Sequence, residues 1–111
     1  MENVENKVII ITGATSGIGE ATARVLAKYG AKVVLSGRRE ERLEKLAGEL
    51  GNSAIYLKSD VTNVEDMKAI VKLAKEKFGK VDVLFANAGI MPAGNMSELD
   101  LKGWMDMVDI N

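Results

Sequence analysis

The stretch that decides the fold runs from Ile11 to Gly30 and reads ITGATSGIGEATARVLAKYG. Its glycines at 13, 17 and 19 lie between a β-branched run, Val8–Ile11, and a segment with apolar residues at helical spacing. Glycine is required where the backbone takes a positive φ or approaches a ligand without an intervening Cβ. A strand, a glycine-rich turn and a helix N-terminus together direct unpaired N–H groups at one place. The stretch therefore predicts a phosphate site; the alternative is a turn whose glycines serve only helix packing.

The composition is typical of one small α/β domain. The 111 residues are 47% hydrophobic and 28% charged, and 15 basic against 16 acidic residues leave a net charge of −1. This balance does not favour nucleic acid, and the apolar run at 8–11 is too short to cross a bilayer. Cys and His are absent, which excludes disulfides, thiolate metal sites and a cysteine nucleophile and removes the commonest general base. We expect a cytoplasmic protein with no metal, nucleic acid or membrane partner.

Strand-like and helix-like segments alternate along the chain. Short apolar runs predict strands, apolar residues at helical spacing predict helices, and glycines at 30 and 51 predict helix ends. The predicted strands are 8–11, 32–36, 54–57 and 81–86; the predicted helices are 18–29, 40–50, one that follows a capping box of Thr62 and Glu65, and 99–110. The segment around Pro92 is predicted to be a loop. This alternation predicts a parallel sheet with right-handed crossovers and helices on both faces.

Five short motifs give the chain a specific resemblance. They are TGATSGIG at 12–19, SGRR at 36–39, DV at 60–61, NAG at 87–89 and WMDMVDIN at 104–111. In their order and spacing they resemble the N-terminal half of a short-chain dehydrogenase/reductase, from Lys7 onward. The resemblance implies a Rossmann-like, doubly wound sheet with strand order 3-2-1-4, and one dinucleotide-binding domain over residues 1–111 that ends before the fifth strand. One departure is Ala86, where the family usually has a first asparagine, in NNAG.

The same resemblance implies a set of site residues. Those expected around the cofactor pyrophosphate are Gly13, Ser16, Gly17, Ile18 and Gly19. Those expected beside the adenine are Asp60 and Val61, and those expected beside the cofactor ribose are Asn87, Ala88 and Gly89. Asn111 would be the first member of the catalytic set, the helix asparagine that holds a water in the proton relay.

The end of the second strand favours NADP over NAD. An NAD-binding enzyme usually has a carboxylate there, which accepts hydrogen bonds from the ribose 2′-hydroxyl. Here Gly37 occupies the expected carboxylate position, and Arg38 and Arg39 follow it. The planar fork of arginine suits a 2′-phosphate, and such charged hydrogen bonds are worth about 1.5–3 kcal/mol, or roughly a ten- to hundredfold preference. The alternative pairs both arginines with glutamates of the helix that follows.

The residues that transfer protons in this family do not occur in the sequence. The family uses a serine and a tyrosine acid with a lysine four residues later. At that spacing Tyr29 is followed by Val33 and Tyr56 by Asp60, and we expect both tyrosines in the core. The chain is therefore expected to be the cofactor half of an NADP-dependent oxidoreductase for carbonyl or alcohol substrates, inactive alone. The alternative is a stand-alone nucleotide-binding or assembly module without catalysis.

The C-terminal third of the chain predicts self-association. In the expected strand order, strand 81–86 is an unpaired sheet edge with only Asp82 to discourage partners. The helix at 99–110 would lack its usual neighbours; its apolar residues are Leu101, Trp104, Met105, Met107 and Val108. We therefore expect a homo-oligomer, formed by edge pairing or by exchange of the last helix; the alternative is a marginally folded chain.

Overall fold

The structure is a computed structural model and describes residues 4–86, 89–94 and 97–110. Its strands are β1 (Val8–Ile11), β2 (Lys32–Gly37), β3 (Ala54–Lys58), β4 (Val83–Ala86) and β5 (Gly89–Pro92). Its helices are α1 (Gly17–Lys28), α2 (Glu40–Leu50), α3 (Val64–Phe78) and α4 (Glu98–Ile110), and a 3-10 turn, Gly51–Ser53, follows α2. The strand order is β3-β2-β1-β4-β5, and the first four strands are parallel. The predicted order 3-2-1-4 is confirmed.

Successive side chains of β1 point to opposite faces of the sheet, and a pair of helices packs against each face. One core contains Ile9 and Ile11 with apolar residues of the first two helices, among them Ala23, Leu26, Leu43 and Leu46. The other contains Val8 and Ile10 with residues of the last two helices, among them Met67, Ile70, Leu101 and Trp104. A continuous β-branched run is typical of a parallel strand covered on both sides, and the predicted helices on both faces are confirmed.

The fifth strand is the main departure from the prediction. Instead of a loop, Gly89–Pro92 forms a strand antiparallel to β4, with Ile90 opposite Phe85. A proline is tolerated there because β5 is an edge strand and Pro92 is its last residue. The sheet therefore has an antiparallel fifth strand that the prediction lacks, and the prediction that β4 is an unpaired edge is wrong.

Helix α4 packs against the sheet rather than standing exposed. Leu101, Trp104 and Met105 are 5%, 2% and 3% exposed and belong to the core that contains Val8. The expected loss of neighbours is wrong for these three residues, and the side chains of residues 107 and 108 lie outside the described part. Both structural reasons for predicting self-association are thus weakened.

Asp82, which directly precedes β4, binds the start of β1 through its side chain and does not lie on an unpaired sheet edge. Its carboxylate accepts a hydrogen bond of 2.8 Å from the Val8 N–H and lies 3.1 Å from the Lys80 ammonium. Burial raises the pKa of Asp82, but the Val8 N–H and the Lys80 charge together outweigh burial and hold the pKa below its ordinary value. The ionised form of Asp82 therefore stabilises the start of β1.

The helical periodicity of residues 18–29 rests on Ile18, Ala21, Val25, Leu26 and Tyr29, and of these only Leu26 is among the buried residues of α1. Gly19, Ala23 and Leu26 are its buried residues. Ile18, Val25 and Tyr29, by contrast, are 63%, 44% and 49% exposed. Two helical sets compete in this segment, and the set with small residues wins because it lets the helix lie close to the glycine loop. The core position expected for Tyr29 is wrong, whereas Tyr56 is half-buried against the core.

Candidate dinucleotide site

The glycine loop between β1 and α1 is tied to both neighbouring strands. The Thr12 N–H donates to the Phe85 carbonyl at 2.9 Å, and the Ala14 N–H donates to the Ser36 carbonyl at 3.0 Å. Between them Gly13 has φ +63°, a conformation that favours glycine. The loop is thereby held at the carboxyl edge of the sheet, where open α/β sheets bind their ligands.

Ser16 caps α1 and leaves two backbone donors open. Its hydroxyl accepts from the Gly19 N–H at 3.1 Å and donates to the Gly13 carbonyl at 2.7 Å. The Ser16 carbonyl accepts from the Glu20 N–H at 2.8 Å. Within the described part of the chain, the N–H groups of Gly17 and Ile18 have no acceptor. With the helix dipole behind them, these two donors form a place for an anion.

Gly17 and Gly19, at the start of α1, have different structural roles. A Cβ on Gly19 would lie 2.2 Å from the Gly13 carbonyl oxygen, so Gly19 is required for close packing of the helix on the loop. A Cβ on Gly17 would meet no atom within 4 Å. The space in front of Gly17 is therefore open to a ligand, and the packing interpretation applies to Gly19 alone.

A cleft of about 590 Å³ extends from this loop to the ends of β2 and β3. Its lining includes Gly13, Ser16 and Gly17 from the loop and Val61 from the segment after β3. Arginines at 38, 39 and 42 line it as well, and among the residues that the structure describes no Asp or Glu does. The charge of its lining is thus entirely positive, which suits a ligand with several phosphates.

Arg38 lies beside Asp60 rather than beside the glutamates of α2. The Arg38 guanidinium is 3.3 Å from Asp60 Oδ1, which also accepts hydrogen bonds from the Thr62 hydroxyl at 2.7 Å and the Thr62 N–H at 2.9 Å. The Thr62 hydroxyl, then its N–H, and the Arg38 charge lower the pKa of Asp60 despite partial burial. Asp60 is therefore an anion held in place by Thr62.

The same contacts correct the predicted capping box. Thr62 is occupied by Asp60, and the residue that caps α3 is Asn63, whose side chain accepts from the Asp66 N–H at 3.1 Å. The Thr62–Glu65 capping box is therefore wrong. Thr and Asn are both good N-cap residues. Because Thr62 donates its hydrogen bonds to Asp60, the next residue, Asn63, caps the helix.

Two groups of residues at the cleft escape the sequence prediction. Ser36 and Ser59, which are 1% and 4% exposed, join their hydroxyls at 2.6 Å where β2 and β3 end. Because Ser59 donates to the Leu57 carbonyl at 2.9 Å, the proton between the serines comes from Ser36. Ser36 ends an apolar run and opens the SGRR motif, but nothing in the sequence around Ser59 marks it as the partner of Ser36. Arg42 lies inside a predicted helix, where nothing marks it as a residue of the cleft.

Three predicted residues, Asn87, Ala88 and Asn111, lie outside the described part of the chain. Gly89, the last residue of the NAG motif, opens β5 opposite Ala86. Among the described residues, no cluster of acidic side chains could hold a metal ion. None of the described helices has the length and apolar character needed to cross a membrane.

Known proteins resemble the chain over nearly its full length. A family model described as short chain dehydrogenase matches residues 7–111. An uncharacterized oxidoreductase of Listeria innocua is 56% identical over 97% of this chain and 45% of its own length. Another, from Staphylococcus saprophyticus, is 43% identical over 100% of this chain and 46% of its own length. The chain thus spans about half the length of the curated relatives it matches.

Two solved structures share the fold. One is a 3-ketoacyl-(acyl-carrier-protein) reductase from Brucella melitensis complexed with NADH, with a TM-score of 0.71 and 46% identity over 74% of this chain and 34% of its own. The other is a short chain dehydrogenase/reductase from Burkholderia phymatum in complex with NAD, with a TM-score of 0.72 and 39% identity over 77% of this chain and 31% of its own. The chain therefore belongs to the short-chain dehydrogenase family.

Proposed function

We propose that this chain is the cofactor-binding half of an NADP-dependent oxidoreductase that acts on carbonyl or alcohol substrates. The observation that carries the proposal is the cleft, in which three arginines and no described acidic residue lie beside an open helix N-terminus. The complexes of the two structural neighbours with NADH and NAD support a nicotinamide dinucleotide as the cofactor and do not distinguish NADP from NAD for this chain. The preference for NADP rests on the charge of this cleft.

The residues present fit such a cofactor, which supplies or takes up the hydride when bound. The N–H groups of Gly17 and Ile18 would donate to the pyrophosphate, and the open space at Gly17 would admit it. At the other end of the cleft, Gly37 leaves the end of β2 without a carboxylate of its own at the position that accepts the ribose 2′-hydroxyl in NAD-binding enzymes. Arg38 and Arg39 would attract a 2′-phosphate.

The adenine and ribose contacts rest on the family resemblance. Asp60 and Val61 follow β3, and of the two Val61 lines the cleft. We propose that this pair flanks the adenine and that residues 87–89 lie beside the ribose. Asn111 would belong to the catalytic set.

Calorimetry with NADPH and NADH tests the cofactor choice. We expect the parent chain to bind NADPH at least about tenfold more tightly than NADH, because hydrogen bonds to a charged phosphate are worth about 1.5–3 kcal/mol. Equal affinities, or tighter binding of NADH, would contradict the proposal.

An activity assay tests the proposal that this chain binds the cofactor but does not catalyse the reaction alone. No tyrosine of this chain has a lysine four residues later, so the chain alone should oxidise no NADPH with aldehydes, ketones or β-keto esters. Turnover that survives repurification and disappears in Asn111→Ala would show that these residues suffice for catalysis.

A further inference from the structure

We infer that Arg42, in the first turn of α2, determines cofactor specificity by binding the 2′-phosphate together with Arg39. The inference rests on the proposed NADP binding and deepens it. Arg42 is exposed and lines the cleft with Arg38 and Arg39.

The three arginines are not equally available to a ligand. Arg38 is paired with Asp60 at 3.3 Å, so a phosphate that took over this guanidinium would have to compete with a fixed carboxylate. Within the described part of the chain, the side chains of Arg39 and Arg42 have neither an ion pair nor a hydrogen bond. A bound phosphate would therefore gain two unengaged cations from these residues.

None of the glutamates of α2 lines the cleft. Glu40 and Glu44 act on Tyr56, whose pKa is raised first by partial burial of the hydroxyl and then by their negative charges. Glu49 pairs with Arg24, which also pairs with Glu20 of α1. Arg42 also lines the neighbouring pocket between α1 and α2 with Glu20 and Glu49, but both of these carboxylates are paired with Arg24.

The start of α2 adds a second attraction for an anion. Its N-cap residue, Arg39, makes no side-chain capping hydrogen bond. The Arg39 carbonyl accepts from the N–H groups of Arg42 and Leu43, both at 3.1 Å. In the described part of the chain, the N–H groups of Glu40 and Glu41 have no acceptor. An uncapped helix start beside two unpaired guanidinium groups favours a dianionic phosphate.

Lys45 provides a matched control for Arg42. It carries the same charge one turn further along α2, but it lines the neighbouring pocket between α1 and α2 and not the cleft. We expect Arg42→Ala to weaken NADPH binding about tenfold and to leave NADH binding within about twofold, because only NADPH carries the 2′-phosphate. Lys45→Ala should change neither affinity by more than about twofold.

Calorimetry of the three chains with both cofactors separates the outcomes. If the parent shows no preference for NADPH, or binds neither dinucleotide, the proposed function fails and this inference fails with it. If the parent prefers NADPH and Arg42→Ala keeps that preference, the inference alone is overturned. Equal weakening of both cofactors, or the same loss in Lys45→Ala, also overturns it.

A conservative variant covers the case in which Arg42→Ala lowers the melting temperature. Arg42→Lys keeps a charge and a good helix former but loses the planar fork that donates two hydrogen bonds to one phosphate. NADPH binding should then weaken about threefold, less than in Arg42→Ala. Affinity equal to the parent's would overturn recognition by the arginine fork.

Discussion

The carboxyl ends of β1 and β2 lie side by side, yet they prepare the cleft in different ways. After β1 the loop is fixed by backbone hydrogen bonds, a positive φ at Gly13 and the close approach of Gly19. After β2 the lining consists of exposed arginine side chains. The first region offers N–H groups to what NAD and NADP share, whereas the second offers charge to the phosphate by which they differ. Substitutions after β1 should therefore act on folding and on all dinucleotide binding, and those after β2 on selectivity.

Gly19→Ala should have the largest effect. Its Cβ would lie 2.2 Å from the Gly13 carbonyl oxygen and 2.9 Å from the Gly13 carbonyl carbon, so the loop must move. We expect a loss of about 1–3 kcal/mol in the free energy of unfolding together with loss of binding to both cofactors. Urea unfolding and calorimetry measure the two effects.

Gly48→Ala is the control for this experiment. Gly48 is an exposed residue of α2, and a Cβ there would meet no atom within 4 Å. Adding a methyl group at such a helix position should stabilise the chain by about 0.5–1 kcal/mol. A Gly19→Ala chain as stable as the parent would show that the loop is not fixed by this contact.

Gly17→Val should separate binding from folding. The added side chain would enter open space in front of the unpaired N–H groups, where the pyrophosphate is proposed to lie. We expect at least about tenfold weaker binding of NADPH and NADH alike, with a melting temperature close to the parent's. Unchanged binding would show that the phosphates do not approach Gly17.

Asp82→Asn should change stability and leave the cleft alone. Asp82 lies next to the start of β1, at the amino-terminal end of the parallel strands, whereas the glycine loop lies at their carboxyl-terminal end. Because its pKa is lowered in the folded chain, the ionised carboxylate stabilises the fold above the unfolded-state pKa of about 3.9. This contribution is lost as the pH falls through the folded-state pKa. We expect a cost of about 0.5–1.5 kcal/mol at pH 7.

Urea unfolding of parent and Asp82→Asn chains at pH 7 and pH 3 measures that contribution. The difference between the two chains should shrink at pH 3, because the parent's carboxylate becomes protonated while the amide does not titrate. The exposed Asp106 on α4 provides a control, since Asp106→Asn should show no such difference. A gap that widens on acidification would contradict the role given to the ionised Asp82.

Arg24→Ala should have the smallest effect. Arg24 bridges Glu20 of α1 and Glu49 of α2, but its side chain is 45% exposed. Such solvated pairs contribute about 0.2–1 kcal/mol. We expect a loss in that range in urea unfolding and no change in the affinity for either cofactor. A larger loss would mean that this bridge positions α2, and with it the arginines of the cleft.

The sequence predicts best where backbone requirements are strict. The run Val8–Ile11 and the glycines after it predict the central strand and the loop, because few other residues fit those positions. The strand order is predicted by the family resemblance. β5 is missed because a four-residue strand that ends in Pro92 is decided by its pairing with β4. The buried face of α1 is predicted correctly only at Leu26, because two different sets of apolar residues recur at helical spacing in this segment and the sequence does not show which set is buried.

Side-chain sites are predicted less completely because they depend on distances across the fold. Arg38 is identifiable from its place after β2, but its pairing with Asp60 joins residues 22 positions apart. Arg42 reaches the same cleft from inside a helix, where its sequence context is that of an ordinary surface residue. Ser36 and Ser59 meet only because β2 and β3 are neighbours.

The most direct test of the contrast between the two strand ends compares the dissociation constants of NADPH and NADH for three chains: parent, Gly17→Val and Arg39→Ala. We predict that Gly17→Val weakens the binding of both cofactors by similar factors and leaves the ratio of the two constants near the parent's. Arg39→Ala should weaken the binding of NADPH alone and so lower the preference for NADPH. A Gly17→Val chain that loses binding of only one cofactor, or an Arg39→Ala chain that loses both equally, would contradict the assignment of shared binding to the loop and selectivity to the arginines.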